Sequence, residues 1–262
     1  MKIIRIFLNG FYDQNDLVFY KKEISQGGQV IAADGAGKFV ESLGSEPDIL
    51  VGDFDSELRL DERAAKLILK YRRDKDFTDG ELALQEALKL KPREIYVYGF
   101  LPRNWEMDHF YGNLRLLYAA AVEGVKAAAK SPVVDIYLLA TLDYSTVSFE
   151  AKRGDKISLA PYACFWVHDV ETTGLRWPLQ HQDILSAGGK YLRNEPVQDG
   201  PVTVTIHGNA LLIFHQKKYK REELPLNIQE GEKIIQKLEE RVKDLEQGKI
   251  VPYKKHGRKK HR

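Results

Sequence analysis

The hydrophobic and polar positions follow one pattern in the first 140 or so residues. Short β-rich apolar runs alternate there with segments whose apolar residues recur at helical spacing. The predicted strands are residues 3–8, 30–33, 49–51, 95–98 and 134–140, and the predicted helices are 37–43, 61–69, 79–90 and 108–122. This alternation predicts a mostly parallel sheet between two helical layers, and thus a three-layer α/β domain.

A different pattern begins near Ser145, where short alternating strands are separated by Gly, Pro and Asp. These predicted strands are residues 145–150, 156–160, 164–168, 175–179, 202–206 and 211–214. They predict an all-β unit, a small β-sandwich. The apolar positions Ile234, Leu238, Val242 and Leu245 then form one stripe of an amphipathic helix. The predicted fold is therefore α/β plus all-β, with an α/β domain at 1–142, a β-sandwich at 143–218, and a C-terminal helix and disordered basic tail at 219–262.

The composition favours a cytoplasmic protein with two hydrophobic cores. The chain has 262 residues, of which 43% are hydrophobic, and this is enough for two ordinary cores. Its one cysteine, Cys164, excludes an internal disulfide and a thiolate zinc site and favours a reducing compartment. Residues 1–9 are typical of a strand rather than a signal peptide, and no apolar run approaches membrane-spanning length. We therefore expect no membrane partner.

The charge is unevenly distributed along the chain. Residues 253–262 contain six Lys or Arg and no acidic residue, so the net charge of +2 becomes −4 for the remainder. A mildly acidic body is not typical of a nucleic-acid-binding domain. The basic tail is expected to be a solvated, disordered segment, with weak contact to RNA or another polyanion as the alternative.

Two groups of aspartates carry the candidate chemistry. The first is Gly-Asp-Phe-Asp-Ser at 52–56, and the second is Asp-Lys-Asp-Phe-Thr-Asp at 74–79. An extended backbone would put Asp53 and Asp55 on one side. A divalent cation that carries phosphate oxygens would relieve the repulsion among so many carboxylates. For Asp53 and Asp55 alone, a solvated turn is the alternative. Both clusters together favour Mg²⁺ and nucleotide chemistry.

The second cluster also contains the start of a helix. Thr78, Asp79, Gly80 and Glu81 have the form of a capping box, with Thr78 as the N-cap. Asp79 would then occupy the first helical turn, and the preceding loop would bring in Asp74 and Asp76. An acidic residue in the first turn also stabilises any helix through its dipole, so this motif alone leaves a structural role open.

A glycine-rich segment follows the second predicted strand. In Ala-Asp-Gly-Ala-Gly-Lys at 33–38 the backbone could approach a nucleotide while Lys38 faces phosphate. The segment matches neither a Walker A loop nor the dinucleotide fingerprint. Asp34, Asp53 and Gly99 each come just after a predicted strand. Because ligands bind at the carboxyl ends of parallel strands, these residues predict a binding crevice.

In this order, the motifs resemble the thiamin pyrophosphokinase family, also called thiamin diphosphokinases. Its members contain Ala-Asp-Gly-Gly-Ala-Asn, then Gly-Asp-Phe-Asp-Ser, then Asp-x-Asp-x-Thr-Asp. The resemblance continues through Asp108 and His109, with Asn113, and reaches Thr-Thr-Gly-Leu-Arg-Trp-Pro-Leu at 172–179. It covers roughly residues 3–215.

The resemblance implies an ATP-dependent transferase that passes a pyrophosphoryl group from ATP to the hydroxyl of thiamin, giving thiamin diphosphate and AMP. By position, Asp53, Asp55 and Asp79 would hold Mg²⁺ and the phosphates. The implied nucleotide-binding residues are Asp34, Gly35, Lys38, Thr78 and Asp108. Asp76 and Asp79 are both candidates for the group that takes the hydroxyl proton.

The resemblance also implies a homodimer whose β domain supplies an aromatic face to thiamin bound at the other subunit. Trp177 would be this aromatic residue, with Thr173 and Asn194 nearby, since a π-rich surface attracts the cationic thiazolium. The alternative is that Leu175, Trp177 and Leu179 are core residues of one strand.

Some residues depart from the family pattern. Lys38 stands where the family usually has Asn, Lys75 where some members have Gln, and residues 100–107 form a longer, bulkier loop that includes Arg103. Two alternatives follow from the sequence: diphosphate transfer to another hydroxymethyl heterocycle, such as a pterin, and a module that binds thiamin or nucleotide without turnover.

Overall fold

The computed structural model of this protein describes residues 2–12, 16–54, 65–72, 76–103 and 106–218. Within these residues the helices are α1 (Leu17–Ser25), α2 (Ala36–Ser42), α3 (Asp79–Lys89) and α4 (Met107–Val122). The strands are β1 (Ile3–Phe7), β2 (Gln29–Ala33), β3 (Ile49–Gly52), β4 (Leu67–Lys70), β5 (Glu94–Tyr98), β6 (Lys126–Lys130), β7 (Val134–Ala151), β8 (Lys156–Pro161), β9 (Trp166–Thr173), β10 (Gln182–Leu185) and β11 (Gly200–Gln216). None of the helices is long and apolar enough to cross a membrane.

The N-terminal half is a parallel sheet with helices on both faces, as the alternating pattern predicts. Its strands are ordered β6-β5-β1-β2-β3-β4, and each neighbouring pair is parallel. The central strands are largely buried because both of their faces are covered, and Arg5 of β1 is a buried charged residue among their apolar residues. Residues of α3 and α4 form one core with the sheet, and residues of α1 and α2 form another on the opposite face.

The order of the strands reverses at β1. The chain proceeds outward from β1 to β4 on one side and then returns to place β5 on the other side of β1. In such sheets the two connections at the reversal point run in opposite directions from the carboxyl ends of their strands. A crevice forms between them. The crevice here lies between the segments that follow β1 and β5.

The C-terminal half is antiparallel and contains two long strands. β7 and β11 pair from Val134 opposite Gln216 to Ala151 opposite Gly200, with a register shift between His207 and Asn209. β8 and β9 pair with β11, and β10 pairs with β9. A separate apolar core belongs to this half. Through the pairing of β6 with β7, the described strands join in one 11-stranded sheet.

Several predicted elements need correction. The predicted strands 134–140 and 145–150 are parts of β7, and 202–206 and 211–214 are parts of β11. The middle of β7 is exposed, so its apolar periodicity stops although its backbone pairing continues. Residues 175–179 form no strand, and only Leu175 makes an isolated bridge.

The helix predicted at 61–69 is also wrong at its C-terminal end. Leu67–Lys70 is the edge strand β4, and residues 61–64 lie outside the described part of the chain. Helix α1 and strands β6 and β10 were not predicted from the sequence. The division at residue 142 falls inside β7 and stays a prediction, as does the sandwich arrangement. Residues up to Lys218 belong to one compact unit, and the predicted C-terminal helix and basic tail lie outside the described residues.

Candidate active site

A cavity of about 530 Å³ occupies the crevice at the reversal point. It is lined by the residues that follow β1, β2 and β5 and by the first turns of α3 and α4. The polar side chains that line it are Asn9, Asp34, Thr78, Asp79, Arg103, Glu106, Asp108, His109 and Asn113. The N-termini of α3 and α4 both contribute to this cavity, and helix N-termini favour anions such as phosphate.

Asp34 enters the cavity from a constrained turn directly after β2. Its backbone lies in the left-handed region with a φ of 47°, its N–H donates to Val51 O at 2.7 Å, and its carbonyl accepts from Gly37 N at 3.1 Å. Phe54, after the neighbouring β3, also has a positive φ of 55°, and its side chain is buried. Such conformations cost energy in non-glycine residues and are concentrated at functional sites.

Asp79 is positioned by the predicted capping box. The Oγ1 of Thr78 accepts from Glu81 N at 3.2 Å, and Glu81 Oε2 accepts from Thr78 N at 2.8 Å. These two reciprocal bonds fix the first turn of α3. Close packing fixes it further, because a Cβ added at Gly80 would meet Leu116 Cδ1 at 3.1 Å. The Asp79 carboxylate therefore starts from a rigid backbone.

The segments after β1 and β5 are held together by backbone contacts. Phe11 N donates to Leu101 O at 2.8 Å, and a Cβ at Gly10 would lie only 1.9 Å from Gly99 O. The hydroxyl of Tyr12 donates to Leu8 O at 2.6 Å. Burial raises the pKa of Tyr12 well above its usual range, with nearby Tyr20 adding to the rise and Arg103 opposing it. The phenol therefore stays neutral and keeps donating.

Asn9 and Arg103 form a polar contact across these two segments. Arg103 donates from Nε to Gly10 O at 2.9 Å and from Nη2 to Asn9 Oδ1 at 2.8 Å, and Asn9 Nδ2 donates to Asp34 Oδ2 at 3.3 Å. From the sequence, Arg103 was predicted only as part of a longer loop, and Asn9 was not predicted as a site residue. A polar residue directly after the first buried strand was the available signal.

The first turn of α4 completes the cavity with Asp108, which was predicted, and His109. Asn113, one turn further along, donates from Nδ2 to Phe100 O at 2.9 Å. This bond ties the helix to the segment after β5, so the longer, bulkier loop predicted at 100–107 is anchored at its start, while its residues 104 and 105 lie outside the described part of the chain.

The structure brings together Asp34, Thr78, Asp79 and Asp108 of the predicted site residues. Gly35 borders the cavity indirectly, since a Cβ there would lie 2.9 Å from the Asn9 side chain. Asp53 follows β3, where a Cβ at Gly52 would lie 3.2 Å from Asp34 Cα, but it is not among the lining residues. Lys38 and Asp76 are exposed and do not line the cavity.

The proposed metal ligands cannot be assembled from the described residues alone, because Asp55, like Asp74 and Lys75, lies outside them. Among the described residues, three potential ligand atoms converge at Asp169, Glu171 and His181, which belong to the antiparallel half. Hydrogen bonding to Asp169, followed by the charges of Glu171 and Asp169, raises the pKa of His181. This group is therefore well described as an ion-pair cluster on β9 and the segment before β10.

The predicted thiamin residues lie in the antiparallel half and do not line the cavity. Trp177 is 56% exposed, so the alternative that it is a core residue is wrong, while Leu175 is buried. Arg176 lies over the Trp177 ring at 5.0 Å from its centroid. Thr173, at the end of β9, is exposed, and Asn194 contacts the backbone of Trp177.

Comparison with known proteins identifies the family. Residues 20–129 match the family model described as the catalytic domain of thiamin pyrophosphokinase. A thiamine pyrophosphokinase of Bacillus subtilis is 34% identical over 152 residues, which cover 55% of this chain and 67% of that protein.

Solved structures share the fold. A crystal structure of thiamine pyrophosphokinase from Bacillus subtilis matches with a TM-score of 0.68 and 24% identity over 83% of this chain and 100% of that one. Yeast thiamin pyrophosphokinase matches with a TM-score of 0.59 and 16% identity over 82% of this chain and 86% of that one. The fold, the order of the motifs and the sequence relationship agree, and the chain belongs to the thiamin pyrophosphokinase family.

Proposed function

We propose that this protein transfers the pyrophosphoryl group of ATP to the hydroxyl of thiamin, giving thiamin diphosphate and AMP. The observation that carries the proposal is the cavity at the strand reversal, in which carboxylates of Asp34, Asp79 and Asp108 lie with the N-termini of two helices. Carboxylates suit a divalent cation, and helix N-termini suit phosphates. A triphosphate bound with its cation needs both.

Asp53, Asp55 and Asp79 are the proposed Mg²⁺ ligands. The oxygen donors of this part of the molecule fit a hard cation, which takes a few carboxylates and leaves its other positions to water and phosphate. When bound, the cation would neutralise charge on the phosphate oxygens. Asp53 and Asp79 extend from backbone that is ordered by β3 and by the capping box, which favours a fixed ligand geometry.

The remaining roles concern binding and alignment. Asp34, Gly35, Lys38, Thr78 and Asp108 are proposed to contact the nucleotide. No covalent intermediate is required, because phosphoryl-type transfer is accelerated mainly by aligning the hydroxyl with the β-phosphorus and by stabilising charge on the oxygens. Asp79 or Asp76 would accept the hydroxyl proton, and Asp79 is favoured by its position in the cavity.

Thiamin is proposed to bind between two subunits of a homodimer. Trp177 is exposed while its backbone is held by Asn194, so a large aromatic surface is presented at little cost in entropy. This surface would attract the thiazolium cation at the other subunit, with Thr173 and Asn194 beside it. We also propose a cytoplasmic location, based on the single free cysteine.

The reaction is tested by incubating the purified protein with ATP, Mg²⁺ and thiamin and following products by chromatography. AMP and thiamin diphosphate should form in equal amounts, and chelation of the metal should stop both. ADP as the sole nucleotide product contradicts the mechanism. Faster transfer to a hydroxymethyl pterin than to thiamin would reassign the acceptor.

The composite site is tested by mixing two impaired variants at a thiamin concentration far below its KM, where a tenfold higher KM leaves Trp177→Ala with about a tenth of the activity. Asp79→Asn and Trp177→Ala would each impair both sites of their own homodimer, whereas each mixed dimer would contain one intact site. Random reassortment of subunits should therefore restore about a quarter of the activity of the unaltered protein. No recovery from a mixture that demonstrably exchanges subunits would show that each site belongs to one chain.

A further inference from the structure

Asn9 lies between a cation and a carboxylate in the lining of the cavity. Its Oδ1 accepts from Arg103 Nη2 at 2.8 Å, and its Nδ2 donates to Asp34 Oδ2 at 3.3 Å. Both distances are within hydrogen-bonding range, although the second is long. The three residues come from the segments after β5, β1 and β2, so the contact crosses the reversal point of the sheet.

The chemistry of the neighbours fixes the orientation of the Asn9 amide. A guanidinium can only donate hydrogen bonds, and an ionised carboxylate can only accept them. The amide oxygen must therefore face Arg103, and the amide nitrogen must face Asp34. A rotated amide would place NH₂ against the guanidinium and oxygen against the carboxylate. The contact with Arg103 therefore holds the Asn9 amide with its NH₂ group directed at the Asp34 carboxylate.

Arg103 and Asn9 are themselves held in place. The Nε of Arg103 donates to Gly10 O at 2.9 Å, so two donors of one planar group bind adjacent residues. On the other side, the Asn9 side chain lies against Gly35, where an added Cβ would be 2.9 Å from both Oδ1 and Nδ2. The amide therefore has little room to rotate.

We propose that Asn9, locked by Arg103, is a positioning residue that sets the direction of the Asp34 carboxylate toward a bound Mg²⁺–nucleoside triphosphate. This inference rests on the proposed function for the identity of the ligand. The backbone of Asp34 is already fixed in a left-handed turn, so the side-chain torsions are what Asn9 constrains. Without Asn9, the charged carboxylate would lose the hydrogen bond that Asn9 Nδ2 donates, and its side-chain torsions would be less restricted.

The test uses the full-length protein, a fluorescent ATP analogue and Mg²⁺, without thiamin. Asn9→Leu keeps much of the volume and removes both hydrogen bonds. We expect its dissociation constant for the analogue to rise roughly tenfold or more. In turnover assays the KM for ATP should rise by a similar factor, while the KM for thiamin should stay within about twofold. Unchanged affinity for the analogue in folded Asn9→Leu overturns the proposal.

Asn9→Asp adds a second measurement, the pH dependence of the affinity for the analogue. A purely structural role of Asn9 would not change this pH dependence. This variant keeps the contact to Arg103 but places two carboxylates together, so one of them should bind a proton more readily. Its affinity for the analogue should improve as the pH falls from 8 to 5, relative to the unaltered protein. Identical pH profiles for the two proteins would contradict the proposal.

Arg103→Lys provides a second route if the Asn9 variants fold poorly. Lysine keeps the positive charge but cannot bind Gly10 O and Asn9 Oδ1 with one planar fork. Its affinity for the analogue should fall in the same direction, and Arg115→Lys, on an exposed part of α4, should not change it. Equal affinities for these two variants would oppose the inference.

The proposed function can fail separately from this inference. If the unaltered protein binds the analogue more tightly than Asn9→Leu but makes no thiamin diphosphate, the acceptor assignment is wrong and the positioning role stands. If it makes thiamin diphosphate and Asn9→Leu binds the analogue equally well, the positioning role is wrong. An unaltered protein that does not bind the analogue overturns the positioning role.

Discussion

The side chain of Asn194 holds the backbone of Trp177 at two points. Its Oδ1 accepts from Trp177 N at 3.2 Å, and its Nδ2 donates to Trp177 O at 2.7 Å. The same Oδ1 also accepts from Glu195 N at 2.8 Å. An exposed aromatic ring on a backbone fixed in this way is preorganised for contact with a ligand or a partner.

Replacing Trp177 by alanine should weaken thiamin binding specifically. Loss of the aromatic surface should raise the KM for thiamin roughly tenfold, while the KM for ATP stays near that of the unaltered protein. Steady-state kinetics with each substrate varied in turn measures both constants. Leu192→Ala is the matched control, since it also removes a large side chain that is 55% exposed. Equal effects on both KM values would argue against a thiamin contact.

Asp79→Asn should abolish most of the activity without unfolding the protein. The amide keeps the shape of the carboxylate but removes the charge that would hold the cation and the phosphates, so kcat should fall at least roughly a hundredfold. Circular dichroism should be unchanged. The control is Asp143→Asn, whose side chain is 86% exposed. Near-normal turnover by Asp79→Asn would refute its assignment as a metal ligand.

The capping box makes Thr78 a structural residue as well as a cavity residue. Thr78→Ala removes the acceptor for Glu81 N and should lower the free energy of unfolding by about 1 kcal/mol. Thr78→Ser keeps an Oγ and should lose much less. Denaturant unfolding of both variants distinguishes the contribution of the capping hydrogen bond to stability from that of the methyl group. A serine variant as unstable as the alanine variant would mean that the methyl contact dominates.

Asp155 should contribute to the pH dependence of stability. Burial opposes ionisation, but hydrogen bonds from His215 and from the backbone N–H groups of Lys152 and Lys218 outweigh it and lower the pKa of Asp155. A lowered folded-state pKa adds stability above the unfolded value of about 3.9, and this is lost as the pH falls through the folded pKa.

Asp155→Asn should therefore unfold more readily than the unaltered protein at neutral pH, and the difference should narrow below about pH 4. Denaturant titrations at several pH values measure the difference in the free energy of unfolding between the two proteins. Glu123→Gln is the control, because the side chain of Glu123 is exposed. A difference that stays constant down to pH 2 would show that the charge of Asp155 does not contribute.

The elements that a sequence predicts well are those whose local pattern agrees with their burial. The capping box at Thr78 is local, and so its prediction is confirmed to the residue. The parallel strands β1, β2, β3 and β5 are mostly buried and consist largely of apolar residues. Edge strand β4 is at most partly buried, and its apolar residues Leu67, Ile68 and Leu69 also suit a helix.

In the candidate site, too, residues in local motifs were predicted and residues that depend on distant contacts were not. Asp34 and Asp79 were predicted because each stands in a recognisable motif, and the cavity contains both. Asn9 carries no motif, and its importance depends on Arg103, which is distant in sequence but adjacent across the reversal point. Contacts of that kind follow from the topology of the sheet, which determines which strand ends are neighbours.

The pairing of β6 with β7 joins the two halves of the described chain, and the long ladder between β7 and β11 continues from it. Every residue pair from one end of it to the other is hydrogen-bonded or in register, except at the shift between His207 and Asn209. Large-scale hinge closure of the antiparallel half over the cavity would break one of these two pairings. Adjustment to incoming substrates must then come from loop segments.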